Sequence, residues 1–178
     1  MPNLRDTGER FFSTFQIDGG QRIRASIWAV PDTTRVTNFN SARRVLRCKP
    51  GTPMQAGQVI HSPTGQTWIV ANYGDSYQGG VVFRAFKLYE ADRKGPLERE
   101  GRVKDPVTGL ERPGVTDEIA EIYYTLEPAG SEEDKVQIPE AEYELITNVP
   151  LQLSDRVDGY KVLRVDMQLG IYIAHVRR

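Results

Sequence analysis

The chain reads as an all-β protein, a small antiparallel β-barrel or sandwich with a long protruding loop or hairpin arm and at most one short helix. Three observations predict this. Apolar residues recur mostly with a period of two, the pattern of half-buried strands. Turn signals such as DGG and SPTG break these runs at short intervals. One short segment alone, PEAEYELI (139–146), opens like a helix, with proline first and acids in its first turn.

The elements follow in order. RFFSTFQI (10–17) and QRIRASIWAV (21–30) are strands joined by Asp18-Gly19-Gly20, where glycine accepts the positive φ of a tight hairpin. In the second of them Ile23, Ala25, Ile27 and Ala29 share one face, and Arg22, Arg24, Ser26 and Trp28 the other. Residues 31–41 are a loop by composition, and ARRVLRC (42–48) is a short strand or one helical turn. Residues 57–61 and 66–72 form a second hairpin around SPTG. VVFRAFKLYE (81–90) is apolar on both faces and is expected to be central or covered.

From 91 to 116 the chain is charged and rich in glycine and proline, with little to bury. So long an unstructured loop is unusual in a compact domain, and the internal DPVTGLE turn makes a protruding two-stranded arm the alternative. IAEIYYTLE (119–127) is a strand, and the acidic EPAGSEEDK (127–135) a solvated loop. GYKVLRVD and GIYIAHV then pair around Gly170, with Leu163, Val165 and Met167 on one face of the first. This last stretch is apolar almost to its end, so it is expected to be sheet core, with the barrel complete there. GQTWIV…GGVVFRAFKL and GYKVLRV…GIYIAHVRR echo one another and are expected to be two hairpins of one barrel. With 178 residues, the expectation is a single domain, 1–178, carrying an arm at about 91–116.

The search for chemistry is mostly empty. No G-x-S-x-G, P-loop, G-x-G-x-x-G, H-E-x-x-H or C-x-x-C pattern is present. Asp155, Asp158 and Asp166 lie close in sequence, but calcium-loop spacing and its closing glutamate are missing, so Asp155 and Asp158-Gly159 are expected to shape a turn. His61 and His175 have no ligand spacing to each other; the first reads as a turn residue, the second as packed beside Ile171 and Ile173. The expectation is therefore no enzyme, no metal and no cofactor. A single cysteine, Cys48, suits a reducing compartment. The first residues hold no apolar signal core, and no apolar run approaches the ~20 residues of a membrane span, so neither export nor a membrane partner is expected.

Charge is balanced overall at −1 but unevenly spread. Residues 1–50 hold nine Lys/Arg against four Asp/Glu; residues 90–145 hold seven against sixteen. Solvated loops account for such a split, and so does contact between a basic face of one copy and an acidic face of the next. The candidate interface residues are Arg22, Arg24, Arg43, Arg44 and Trp28 on one side and Glu132, Glu133 and Asp134 on the other. The arginines could equally meet phosphate. The arm offers Arg93, Lys94, Arg99, Arg102, Lys104 and Arg112 as partner contacts.

The Gly-aromatic-strand motifs GQTWIV and GYKVLRV, the closing VDGYKVLRV…LGIYIAHV hairpin and the charged arm together resemble the head-tail connector proteins of tailed bacteriophages, in particular the head-closure or stopper class of the neck. The resemblance is strongest over 151–178 and moderate over 57–88. It implies a small barrel assembling with copies of itself into a ring, commonly six- or twelve-fold. A portal or adaptor protein would lie on the head side and a tail protein on the other, with packaged double-stranded DNA passing through the lumen. The place implied is the neck of the virion, and the host cytoplasm during assembly. The family brings no catalytic residues. Two other readings remain open: a tail or baseplate component with a similar barrel, and a cellular ligand-binding barrel with an apolar pocket around Trp68, Tyr73 and Phe83.

Overall fold

The computed structural model describes residues 12–29, 44–78, 81–129 and 141–178. Among them every regular element is a strand, and the strands close into two antiparallel barrels where the sequence suggested one. The chain divides accordingly into two compact units, Met1–Asp92 with Leu169–Ile171, and Arg93–Gln168 with Tyr172–Arg178.

The first barrel comprises β1 (Ser13–Ile17), β2 (Arg22–Ala29), β3 (Arg44–Cys48), β4 (Val59–His61), β5 (Thr67–Gln78) and β6 (Val81–Glu90), in spatial order β1-β2-β3-β6-β5-β4. Its hairpins fall where the turn residues place them. Gly19 and Gly20 both sit at φ 96° and let Gln16 pair with Arg22. In SPTG, the Gly65 N–H donates to the Ser62 carbonyl at 3.0 Å and Gly65 takes φ 85°, so His61 pairs with Thr67. Alternation then sends Phe15, Ile23, Ala25, Leu46, Trp68, Val70, Phe86 and Leu88 into one core. The segment 42–48, open between strand and helical turn in sequence, is strand over Arg44–Cys48.

The second barrel comprises β7 (Arg93–Lys104), β8 (Glu111–Pro128), β9 (Tyr143–Thr147), β10 (Arg156–Val157), β11 (Tyr160–Gln168) and β12 (Ile171–Arg177). Its order, β10-β11-β12-β9-β8-β7, is that of the first barrel when the strands are counted from β7. The fold is thus written twice, and the sequence echo is the equivalent hairpin of each copy, β5–β6 and β11–β12. Leu97, Ile122, Tyr124, Leu145, Val157, Val162, Ala174 and Val176 make its core. Of the Leu163, Val165, Met167 face, Met167 is 67% exposed while Val165 is half-buried against the core, and Tyr160 and Val162 are buried.

Two expectations change. The helix expected from PEAEYELI is strand from Tyr143 to Thr147; 139 and 140 lie outside the described residues. Two helical turns hold little stability alone, whereas as a strand this segment pairs with both β8 and β12 and buries Leu145, Ile146 and Thr147. The segment 91–116 takes the two-stranded form of its two alternatives, as β7 and the start of β8, but its lower half is barrel wall rather than protruding arm: Leu97 is buried and pairs with Val157 of β10.

Candidate assembly interface

The β7–β8 hairpin takes the place in the second barrel that β1–β2, with its three-residue turn, takes in the first. It is much longer. β7 pairs with β10 only through Leu97 and Glu98, and β8 pairs with β9 only from Tyr124 onward. Between those points and the turn, Arg99–Lys104 and 111–117 pair, among the described residues, with each other alone. They form a two-stranded ribbon. Two register shifts, at Leu97/Glu98 and Glu100/Arg102, insert extra residues into β8. The first leaves Ile119 unpaired and 52% exposed, and such bulges increase twist and discourage edge pairing.

An isolated ribbon is marginal in water, so its footing matters. Arg99 provides it. Its Nε and Nη2 donate to Oδ1 and Oδ2 of Asp155, both at 2.7 Å. The Asp155 side chain is 1% exposed and Oδ2 also accepts the Gln152 N–H at 2.7 Å. The hydrogen bond to Asp155 raises the Arg99 pKa, keeping the guanidinium charged. On the paired strand β8, the buried Tyr124 donates its hydroxyl to Asp158 Oδ2 at 2.8 Å. Burial first, and the Asp158 carboxylate second, push the Tyr124 phenol up to about 12. Asp158 and Gly159 take φ 50° and 83° in the two-residue β10–β11 turn, and the Asp158 N–H donates to the Pro96 carbonyl at 3.1 Å. A side chain at Gly95 would place its Cβ 3.1 Å from that of Asp158, so glycine lets the turn lie against β7.

The far end of the ribbon is ordered by Asp105. Its Oδ1 accepts the N–H groups of Val107 and Thr108 at 2.9 and 3.0 Å, and the Gly109 N–H donates to its carbonyl at 2.9 Å. The two backbone N–H groups, Thr108 foremost, hold its carboxyl below the usual range. On this fixed turn Val107 is 90% exposed and Leu110 67%.

The arm cations thus fall into different settings. Arg93 and Lys94 stand at the barrel wall opposite Tyr124 and Tyr123, and Lys94 pairs with Glu121. Arg99 is committed to Asp155. Arg102 and Lys104 lie exposed on the ribbon, and Arg112 pairs with Val103 there. On the first barrel, Arg22 and Arg24 are exposed on β2. Trp28 donates to Ser26 Oγ at 2.9 Å, with the Arg47 guanidinium 5.2 Å from its ring. Arg44 lies 4.9 Å from the ring of Trp68. Arg43, Glu132, Glu133 and Asp134 lie outside the described residues.

The remaining chemistry-bearing residues have structural settings. His61 Nδ1 meets Thr67 Oγ1 at 3.0 Å. His175 is 8% exposed, with Nε2 4.0 Å from Asp166, which Arg164 holds at 3.0 Å. Among the described residues no three His, Cys, Asp or Glu are arranged to hold a metal ion. Trp68 is buried in the first core, Tyr73 is 56% exposed at a bulge of β5, and Phe83 is half-buried. Sequence reasoning missed Tyr124 and the exposed Val107 and Leu110; the one available signal was Asp105 two residues before Val107, an Asx-turn pattern. Compared with known proteins, the chain matches no family model, no curated protein and no solved structure.

Proposed function

We propose that this chain is a structural protein of the phage neck, forming a ring of identical copies that joins head to tail and lets packaged DNA pass through. The observation that carries the reading is the β7–β8 ribbon. A barrel that needed only to close could use a short turn at this point, as the first barrel does with Asp18–Gly20. The second barrel instead extends the hairpin, braces it with a bidentate ion pair to a buried carboxylate, and ends it in an ordered turn presenting Val107 and Leu110 to solvent. Those two side chains add nothing to their own core. A braced ribbon with an apolar tip fits insertion into a neighbouring subunit, where an apolar anchor surrounded by charged stem residues supplies both affinity and register.

Immunogold electron microscopy of the virions that encode this chain tests the assignment. Antibody against the chain should label the head–tail junction. Label on the tail tip alone, or no label on virions whose lysate contains the chain, would overturn it.

A further inference from the structure

Strands β4, β1, β2 and β3 are neighbours in the first barrel, and together they carry Arg22, Arg24, Arg44, Arg47 and His61 without one Asp or Glu. The acid of their hairpin, Asp18, lies in the turn. On the outer face, Arg22 pairs with Gln16 and Gln16 with His61, so guanidinium, amide and imidazole form one row across three strands. Arg24 pairs with Thr14 in the parallel row. Beside them lies an open cleft of about 200 Å³, lined by Thr14, Phe15, Gln16, Arg22, His61 and Pro63. Arg22 and Arg24 are exposed cations with no side-chain partner among the described residues.

An acid pair in the second barrel is left over in the same way. Glu118 stands opposite Glu98, a like-charge pair, and Glu98 has Arg156 on its other side. Asp117 stands opposite Arg99, whose guanidinium is taken by Asp155. Both acids are exposed at the foot of the ribbon.

We propose that the Arg22–Arg24 face of the first barrel is the docking surface for the Asp117–Glu118 foot of the ribbon on a second copy of this chain. The contact deepens the ring reading and rests on it: it is head-to-tail, so each copy offers both halves, as a closed ring requires. The chain's charge favours this occupant over nucleic acid, because a net charge of −1 resists a phosphate backbone while the −9 of residues 90–145 supplies matching carboxylates. Arginine also suits two-point contact with carboxylate.

The test is sedimentation of purified full-length chain at low ionic strength. Wild type should associate, and Arg22→Glu with Arg24→Glu should weaken association at least tenfold, because like charges then meet. Asp117→Lys with Glu118→Lys should do the same. Mixing the two variants should restore association with the two kinds of copy alternating, since the acidic foot of the first meets the basic face of the second and the basic foot of the second meets the acidic face of the first. All the substituted positions are exposed, and unchanged melting temperatures check the folds. Association of the arginine variant at wild-type strength would overturn the docking face while leaving the ring reading intact. A wild type monomeric at every concentration would overturn the docking as well, with the virion labelling still deciding the ring's location. Binding of short duplex DNA that is lost in the arginine variant, with self-association unaltered, would reassign the face to phosphate.

Discussion

Arg99→Ala probes the brace of the ribbon. The substitution removes both donors that Arg99 gives to Asp155 and leaves a carboxylate whose side chain is 1% exposed held by the Gln152 N–H. Breaking a buried pair by removing one partner costs about 3–5 kcal/mol. Arg99 itself is 31% exposed, so water already shares in the pair and the lower end applies, about 3 kcal/mol. For a chain of this size that lowers the melting temperature by about 6–12 °C. Arg99→Lys keeps the charge but loses the planar fork, and should recover a good part of the loss. Thermal melts followed by circular dichroism give the magnitude, and amide exchange at Gln152, whose N–H caps the same carboxylate, gives the location. If Arg99→Ala melts within about a degree of wild type, or if lysine behaves like alanine, then the pair does not brace the ribbon as argued.

Three further outcomes follow. Folding holds the Tyr124 phenol un-ionised to a higher pH than the unfolded chain, so its contribution is complete below about pH 10 and is lost as pH rises through about 12; ultraviolet titration should show a phenol still un-ionised near pH ~11 that disappears in Tyr124→Phe. The depressed Asp105 carboxyl contributes order to the tip that is present above about pH 3.9 and is lost as pH falls; Asp105→Ala should speed exchange of the Val107 and Thr108 amides while the melting temperature stays put, and unchanged exchange would mean the turn does not depend on it. Burial pushes the Cys48 thiol up, so a disulfide reagent should leave native protein unmodified and label it fully in denaturant, whereas rapid native labelling would contradict its place in the first core.

Much of the fold could be read from the chain because its turns are chemically explicit. Asp18-Gly19-Gly20 and Ser62–Gly65 each announce a hairpin and Asp158-Gly159 a turn, and period-two alternation on β2 separates its inner face from its outer one. The second barrel was harder to see. The echo between β5–β6 and β11–β12 was visible, but equivalent hairpins of two barrels and successive hairpins of one barrel leave the same local pattern. Only the long-range pairing of β7 with β10 and of β9 with β12 separates them. PEAEYELI misled because its proline and acids are local helix signals, while its strand state comes from partners on both sides. The anchoring of the ribbon was hidden for a related reason: Arg99 and Asp155 are 56 residues apart, and nothing near either names the other.

The central claim is that copies of this chain join into a closed ring. Light scattering across a concentration series measures it most directly, with the purified chain alone and then mixed with DNA-filled heads assembled without it. The account predicts that the chain leaves solution for the heads and that the released complex has a mass of one fixed multiple of 20.1 kDa. A chain that stays at the mass of one copy at every concentration and is not taken up by heads would contradict it.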